Sequence, residues 1–296
     1  MSHEPPRQIA AAAEVNAEVP TGVHAADRPD VTAHNRAAWD RLVAEGDRWT
    51  VPVSAGAIRR ARDGDFELLL TPERPVPRRW FDATITDDVS PVRLDGRSVL
   101  CLAGGGGQQG PLLAAAGAAV TVFDNSPAQL GQDRHVADRE GLDLRTVQGD
   151  MADLSTLSDE SFDLIVHPCS NCFVPDITPV WREAFRVLRP GGQLMSGFVS
   201  PVNFLFDHED FDAGRFVVKH SVPFSDVDDL PEATRRDYVR RGEAFCFGHT
   251  LGDQIGGQTR AGFAIVDFFE DGWDLWPLSR HIATLAATLA RKPVER

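Results

Sequence analysis

A run of four glycines in the segment LAGGGGQQG is the feature of this 296-residue sequence that most strongly indicates ligand binding. The run follows SVLCLA, which has the length and composition of a buried strand. Glycines at the end of a strand let the backbone approach a ligand closely, and free amides at the start of the next helix can bind it. Seventeen residues after Gly107, a second apolar run ends in Asp124, whose carboxylate can accept both hydroxyls of a ribose. Together these features predict a nucleoside site.

Three histidines are candidates for acid–base chemistry at such a site. His167 ends an apolar run typical of a strand, His220 lies in a predicted strand of the insertion, and His249 directly precedes a predicted helix. A neutral imidazole near pH 7 can take the proton that a hydroxyl or ammonium group loses. Each of the three, taken alone, is more often a structural residue than a catalytic one, and the sequence leaves that choice open.

The cysteines predict reduced thiols, and no metal site is expected. Cys169 and Cys172 form a single C-x-x-C motif, and no second pair completes the four ligands of a structural zinc. The motif follows a predicted strand, whereas a thioredoxin-like redox pair begins a helix. Four cysteines in a chain of this length, without a recognisable signal peptide, favour a cytoplasmic protein. We expect the pair to line a pocket.

Apolar runs alternate with helical segments from Arg97 onward, and this alternation predicts an α/β fold. Five strands are expected at SVLCLA, AVTVFD, LRTVQGD, FDLIVHP and QLMSGFVS. The helix after the second strand has Ser126 as its N-cap and Pro127 in its first turn, and a helix through PDITPVWREAFRVLRPGG ends in Pro and Gly. Strands that alternate with helices pair in parallel, and helices cover both faces of the sheet.

The rest of the chain predicts a leader, a cap, a lid and two closing elements. Val31 to Trp49 has a helical pattern that Thr32 can cap, and residues 50–94 indicate a connector with one short helix. TLGDQIGGQTRAG predicts a helix, AIVDFF a strand, and HIATLAATLA either a strand or a helix. The expected organisation is a mobile leader at 1–30, a helical cap and connector at 31–94, and an α/β domain at 95–296 with a lid insertion at 201–248.

The glycine spacing alone does not identify the nucleoside, because Gly105, Gly107 and Gly110 also match the G-x-G-x-x-G of nicotinamide sites. The ordered blocks VLCLAGGGGQQ, VTVFDNS, VQGDMADL, FDLIVHP and VLRPGGQL resemble those of class I S-adenosylmethionine (SAM)-dependent methyltransferases. The resemblance runs from about Arg97 to Ser200 and resumes across TLGDQIGGQTRAGFAIVDFFED. A helix that ends in LRPGG and leads into a strand is typical of that family and is not general in NAD enzymes.

The resemblance implies a doubly wound, mostly parallel seven-stranded sheet of order 3-2-1-4-5-7-6, with SAM as cofactor and S-adenosylhomocysteine as product. In this family Asp124 would hold the ribose hydroxyls, Asp150 would accept from the adenine amino group, and His167 would lie near the transferred methyl group. An N-terminal helix, here the one with His34 and Asn35, commonly closes over the cofactor. The implied cofactor site comprises Ala103, Gly104, Gly105, Gly107, Asp124, Asn125, Ser126, Asp150, Met151, His167, Pro168 and Cys169.

The first block departs from the family pattern at two positions. Cys101 stands where the family often has an acid, and Ala103 stands where its first glycine often stands. We therefore expect the methionine ammonium of the cofactor to be neutralised by a group elsewhere in the chain.

Composition disfavours two classes of partner. Acids outnumber bases 44 to 30 and the formal charge is −14, which disfavours a nucleic acid as substrate. No stretch approaches the roughly 18 apolar residues of a membrane span, so no membrane partner is expected. An aromatic chamber that excludes water suits methyl transfer, and phenylalanines cluster around the predicted lid. They are Phe173, Phe204, Phe206, Phe224, Phe245 and Phe247.

The sequence thus predicts a SAM-dependent methyltransferase that acts on an oxygen, nitrogen or carbon nucleophile of a small molecule, with specialised metabolism as a fitting context. One alternative keeps SAM but catalyses a non-methylating reaction such as a cyclisation, because the cofactor blocks would be the same. An NAD-dependent oxidoreductase and a binding module without turnover are further alternatives. The acceptor, the base and the oligomeric state are left open.

Overall fold

The computed structural model describes residues 28–294, with a seven-stranded sheet at the centre. Residues 1–27 of the expected mobile leader lie outside the described residues. The strands of the sheet are β1 (Ser98–Leu102), β2 (Ala119–Asp124), β3 (Leu144–Gln148), β4 (Phe162–His167), β5 (Leu188–Val199), β6 (Ala264–Asp271) and β7 (Leu285–Arg291).

The strand order β3-β2-β1-β4-β5-β7-β6 confirms the predicted fold. The first five strands pair in parallel, and β7 lies antiparallel to both β5 and β6. The segment HIATLAATLA, left open between strand and helix, supplies β7. The strand order reverses between β1 and β4, and ligands of such sheets bind beyond the carboxyl ends of the strands at that point.

Eight α-helices accompany the strands in the described part of the chain. They are α1 (Val31–Glu45), α2 (Ala55–Arg62), α3 (Gln109–Ala115), α4 (Pro127–Glu140), α5 (Thr178–Val187), α6 (His208–Asp212), α7 (Glu232–Arg241) and α8 (Leu251–Arg260). None of the helices within residues 28–294 is both long enough and apolar enough to cross a lipid bilayer.

Local capping explains where two of these helices begin. Helix α4 begins after Ser126, as predicted, because the Ser126 side chain accepts a hydrogen bond from the Gln129 N–H. Helix α1 is capped by Asp30, whose carboxylate accepts from the Ala33 N–H. The expectation that Thr32 caps this helix is wrong, because Thr32 already lies inside the helix and its hydroxyl is bonded elsewhere.

Helix α5 ends earlier than the sequence predicted. It stops at Val187, and the residues LRPGG already belong to β5. A proline disfavours the helical conformation in the residue before it, here Arg189, and the chain is already extended one residue earlier, at Leu188. The pairing of β4 with β5 shifts register between Phe162 and Leu164, so residues 189–192 bulge from the sheet.

The sheet is buried on both faces, as alternate residues of β1 show. Val99 and Cys101 pack in one core cluster with residues of α2 and α3, whereas Leu100 and Leu102 pack in a second cluster with residues of α5. All four side chains are fully buried. Because helices cover both faces, the carboxyl edge of the sheet is left for a ligand.

Residues 201–248, called the lid here, form a separate layer at this edge. The lid contains a 3-10 helix (Pro201–Leu205), α6, α7 and a short antiparallel pair of strands, Phe224–Ser225 with Phe247–Gly248. Phe204, Phe224, Phe245 and Phe247 pack in a small core together with Cys172. Phe206 and Phe211 pack in a second cluster with Leu278.

Candidate active site

A cavity of about 400 Å³ lies at the carboxyl ends of β1, β2 and β4. Its walls come from the loops of the sheet, from α1 and the connector that follows it, and from the lid. The sheet loops contribute nine of the twelve expected cofactor residues: Ala103, Gly104, Gly105, Asp124, Asn125, Asp150, Met151, Pro168 and Cys169.

The glycine loop after β1 packs tightly against the end of β2. Ala103 has a φ of 48°, in the left-handed region that glycine adopts most easily, which accounts for the glycine that the family often has there. The Gly105 N–H donates to Oδ2 of Asp124 at 3.0 Å. A Cβ atom on Gly105 would lie 2.8 Å from Cβ of Gln129, so only glycine allows this approach.

Asp124 ends β2 and presents its carboxylate to the cavity. Oδ2 accepts from the Gly105 N–H, and Oδ1 accepts from the Ser126 N–H at 2.9 Å. Burial raises the pKa of Asp124, opposed by these hydrogen bonds. Each carboxylate oxygen can accept a further hydrogen bond, so this group can receive a pair of vicinal hydroxyls.

Asp150 follows β3 on the same side of the cavity and is bonded to α1. Its Oδ2 accepts from the Thr32 hydroxyl at 2.9 Å, and its Oδ1 accepts from the Ala152 N–H. Thr32 and Asn35 line the cavity, whereas His34 binds the Glu243 carbonyl of the lid through Nε2. The N-terminal helix therefore closes this end of the cavity.

The first block of the sequence has no acid, but an acid from α4, Asp133, bonds to the glycine loop. Asp133 is fully buried, and its Oδ2 accepts from the Gly106 N–H at 3.0 Å. Burial raises the pKa of Asp133 to about 8 and raises the pKa of the Cys101 thiol as well. Neither side chain lines the cavity, so neither neutralises a bound ammonium group directly.

Three residues expected at the cofactor do not line the cavity. Gly107 lies behind the loop, where its carbonyl accepts from the Val53 N–H. Ser126 is buried and donates its hydroxyl to Asp40 at 2.6 Å. His167 is turned away from the cavity. These three residues stabilise loops whose other residues line the cavity.

None of the three histidines predicted to be catalytic lines the cavity, which corrects that prediction. His167 is fully buried, with Nδ1 at 2.9 Å from the Leu102 carbonyl and Nε2 at 2.7 Å from Oδ1 of Asn171. His249 places Nε2 at 3.0 Å from the Val174 carbonyl. Burial lowers the pKa of both imidazoles, so both are neutral near pH 7. The contacts of both histidines with Asn171 and Val174 hold the loop after β4 in place.

His220 is the third of these histidines, and it stabilises the lid. Its Nε2 lies 2.8 Å from Oδ1 of Asp207, and its ring packs at 4.8 Å from that of Phe224. Among the cavity-lining residues of the described chain, His208 is the one histidine. The sequence contained no signal for His208, because the five-residue helix that carries it is too short for a recognisable pattern.

Aromatic side chains form most of the wall opposite the cofactor loops. Phe245 and Phe247 of the predicted cluster lie behind this wall instead, in the core of the lid. The lining rings are Phe173, Phe204, Phe206, Phe211 and Phe224, together with Trp39, Trp49, Trp273 and Trp276. Such a surface binds apolar groups and excludes water.

Three thiols also line the cavity, from Cys169, Cys172 and Cys246. Contact with the Cys172 thiol and burial raise the pKa of Cys246, and burial raises the pKa of Cys169. These two groups are therefore neutral thiols near pH 7. Within residues 28–294, no group of three His, Cys, Asp or Glu side chains is placed to hold a metal ion.

A sheet of this strand order, with its cavity at the carboxyl ends of β1 and β2, is the architecture of class I SAM-dependent methyltransferases. A family model described as "Methyltransferase domain" matches residues 100–196. The protein named "Uncharacterized methyltransferase YbaJ" from Bacillus subtilis strain 168 is 49% identical over 262 residues, which cover 88% of this chain and 98% of that protein. The chain therefore belongs to the SAM-dependent methyltransferase family, and SAM is its cofactor.

Two further comparisons agree with this assignment. An arsenite methyltransferase of Aquipseudomonas alcaligenes is 38% identical over 117 residues, which cover 36% of this chain and 34% of that protein. The crystal structure of a SAM-dependent methyltransferase from Mesorhizobium loti superimposes with a TM-score of 0.52 at 20% identity, over 67% of this chain and 92% of that one. The second match shows a shared fold.

The cavity fits this cofactor at the loops that the sequence singled out. The Gly105 position leaves no room for a side chain beside the Asp124 carboxylate. Asp150 and Met151 line the wall that follows β3. The bound cofactor supplies a methyl group that its positive sulfonium has already activated.

Proposed function

We propose that this protein transfers the methyl group of SAM to a small organic acceptor bound between the sheet and the lid. The observation that carries the proposal is a single cavity lined both by the loops at the carboxyl ends of the strands and by aromatic side chains, among them Phe204, Phe206, Phe211 and Phe224 of the lid. A largely apolar cavity of this size suits a small metabolite. A place in specialised metabolism stays a prediction.

In this proposal the sheet loops hold the cofactor. Asp124 accepts the ribose hydroxyls, with Asn125 beside it. Asp150 accepts from the adenine amino group, next to Met151. The segment from Ala103 to Gly105 lies along the methionine part, and Pro168 and Cys169 lie near the methyl group. The geometry that supports each assignment is the position of these residues on one continuous cavity wall.

Alignment and exclusion of water are the main tasks left to the protein, because the sulfonium already makes the methyl carbon electrophilic. The lid phenylalanines and the tryptophans near β6 exclude water. The side-chain amide of Asn35 on α1 bonds to the Phe245 carbonyl of the lid at 3.0 Å, which helps to hold the lid closed.

Arsenite is a second candidate acceptor, and one observation favours it. Three thiols line the cavity, and one relative is by name an arsenite methyltransferase. Since no group of three ligands in the described chain is placed to hold a metal ion, we rank this candidate below an organic acceptor. A cyclisation that keeps SAM intact remains the alternative within the same cavity.

Transfer of radioactivity from [methyl-³H]SAM tests the proposal. The purified protein is incubated with the small-molecule fraction of a cell extract or with sodium arsenite, and S-adenosylhomocysteine formation is quantified. We expect label in organic-extractable products of the extract together with S-adenosylhomocysteine. Label only with arsenite would establish the second candidate, and an altered extract without S-adenosylhomocysteine would favour the cyclisation. Binding of NADH in place of SAM would overturn the whole proposal.

Substitution of Asp124 tests the cofactor assignment directly. Asp124→Ala is expected to weaken SAM binding by about tenfold or more in calorimetry, the scale of lost hydrogen bonds to a charged group. The matched control is Asp138→Asn on the exposed side of α4, which should leave the affinity unchanged. Equal affinities for the two variants would remove Asp124 from the site.

A further inference from the structure

Helix α6 of the lid presents one polar face to the otherwise aromatic half of the cavity. His208, Phe211 and Asp212 all line the cavity. Residues three and four positions apart lie on the same side of a helix, so the imidazole, the phenyl ring and the carboxylate are neighbours. The helix therefore brings a potential base and an anion together beside an aromatic ring.

The two polar side chains on this face differ from the other acids of α6 and its cap. Asp207 pairs with Lys219 and His220, and Asp210 pairs with Arg215 and Lys219. Within residues 28–294, by contrast, neither His208 nor Asp212 has a hydrogen-bond or ion-pair partner for its side chain. Both residues line the cavity and are also exposed to solvent, so their polar groups are free to bind a ligand.

Neighbouring contacts hold this face in place. The rings of His208 and Tyr238 meet edge to face at 5.9 Å, and Phe211 packs at 5.8 Å from Trp276. The ion pairs of Asp207 and Asp210 fasten the far side of the helix to the following segment of the lid. Recognition groups held in this way need little reorganisation when a ligand binds.

Other polar atoms also line the cavity: Oδ1 of Asn203, the Thr71 hydroxyl and the indole N–H of Trp273 are buried and have no hydrogen-bond partner among the described residues. The Asn203 amide donates through Nδ2 to the carbonyls of Ser200 and Thr284. The thiol of Cys246 is a weak donor next to Cys172. Phenylalanine, tryptophan, leucine and valine side chains contribute most of the apolar lining of the cavity.

We infer that the acceptor has a flat apolar body and a protic group, a hydroxyl or an amine, which His208 and Asp212 receive. The inference rests on the proposed function and names its class of substrate. The lone pair of the acceptor oxygen or nitrogen forms the new bond to carbon as the S–C bond of SAM breaks, and that electron pair stays on sulfur. The proton that the acceptor loses goes to the His208 imidazole and from there to water.

Three small probes test this inference without knowledge of the natural acceptor. The affinities of 1-naphthol, 1-naphthylamine and naphthalene are measured by fluorescence with S-adenosylhomocysteine at saturation. We expect the naphthol or the naphthylamine to bind about three- to tenfold more tightly than naphthalene, the scale of one net hydrogen bond. The comparison of the two protic probes shows whether a hydroxyl or an amine is preferred.

Variants of α6 then locate the source of this preference. His208→Leu and Asp212→Leu, which remove every polar side-chain atom, should each reduce it towards equal affinity, while S-adenosylhomocysteine binding stays unchanged. Glu209→Leu is the matched control, because Glu209 lies on the same helix, does not line the cavity, and loses its polar atoms in the same way. This variant should keep the full preference.

Each outcome has a distinct meaning. Equal binding of all three probes, no binding of any of them, or a preference that survives both His208→Leu and Asp212→Leu would overturn the inference while the methyltransferase proposal stands. Failure of the wild-type protein to bind S-adenosylhomocysteine would overturn the proposed function itself. Loss of that binding in one variant alone would show that its side chain supports the fold instead, which overturns its role in recognition.

Discussion

Asn35 and Phe245 are joined by hydrogen bonds in both directions. The Phe245 N–H donates to Oδ1 of Asn35 at 2.8 Å, and Nδ2 of Asn35 donates to the Phe245 carbonyl at 3.0 Å. The same Nδ2 also donates to the Phe173 carbonyl at 3.0 Å. Since Phe173 follows β4 and Phe245 lies in the lid, one buried amide on α1 joins the helix, the sheet and the lid.

Loss of this amide is expected to loosen the lid. Asn35→Ala leaves the Phe245 N–H and two carbonyls without their partner, at a cost of about 1–3 kcal/mol for buried groups. Because the lid closes the cavity, we expect faster tryptic cleavage within the arginine-rich helix α7 and weaker SAM binding. Limited proteolysis and calorimetry measure the two effects.

Arg41 supplies the matched control on the same helix. It also bonds α1 to the lid, by donating to the Gly242 carbonyl at 3.0 Å, but this contact is partly exposed to solvent. Arg41→Ala should therefore change proteolysis and binding much less. If both variants behave alike, the buried amide has no special role in holding the lid.

The sheet was predictable from sequence because parallel strands are buried on both faces and appear as unbroken apolar runs. The exception was β7, which the sequence left open between strand and helix. Its segment LAATLA is rich in alanine, the residue with the highest helix propensity. Pairing with β5 and β6 decides its conformation, and that pairing is a long-range property that no local pattern contains.

The cofactor loops were also predictable, because each follows the carboxyl end of a strand directly. The directions in which the side chains point were not predictable from the sequence. His167 ends β4 as expected, yet its ring turns into the protein, where its two nitrogens lie 2.9 Å from the Leu102 carbonyl and 2.7 Å from Oδ1 of Asn171. His208 reaches the cavity only because the lid folds back over the sheet, so its place depends on tertiary structure.

Gly106 in the glycine loop is expected to tolerate no side chain. Its φ is 111°, and a Cβ atom there would lie 2.7 Å from the Trp49 carbonyl oxygen. Gly106→Ala must therefore displace the loop or the connector, and we expect a lower melting temperature together with weaker SAM binding. Thermal unfolding and calorimetry measure these changes.

Gly131→Ala is the control for this prediction. Gly131 lies inside α4, where a Cβ atom would meet only the end of the Arg134 side chain at 3.8 Å. Alanine has the higher helix propensity, so this variant should gain about 0.5–1 kcal/mol of stability. A Gly106→Ala protein as stable as Gly131→Ala, with unchanged affinity, would contradict the proposed strain.

The buried carboxyl of Asp133 is expected to make stability depend on pH. Burial raises its pKa to about 8 in the folded protein, above the ordinary value of 3.8. Between these two values the unfolded chain has released the proton while the folded protein keeps it, so stability falls as pH rises. Asp133→Asn keeps an acceptor for the Gly106 N–H and cannot ionise. The stability of this variant relative to wild type should therefore rise by roughly 1 kcal/mol per pH unit within that window.

Urea denaturation at intervals from pH 5 to pH 8 measures this difference. Asp138→Asn, on the exposed side of the same helix, is the control and should follow the wild-type curve at every pH. A constant offset between wild type and Asp133→Asn across the range would mean that the carboxyl ionises equally in the folded and unfolded chains. The Gly106 N–H would then donate to a charged carboxylate, and the surroundings of Asp133 would be more polar than the full burial of this residue indicates.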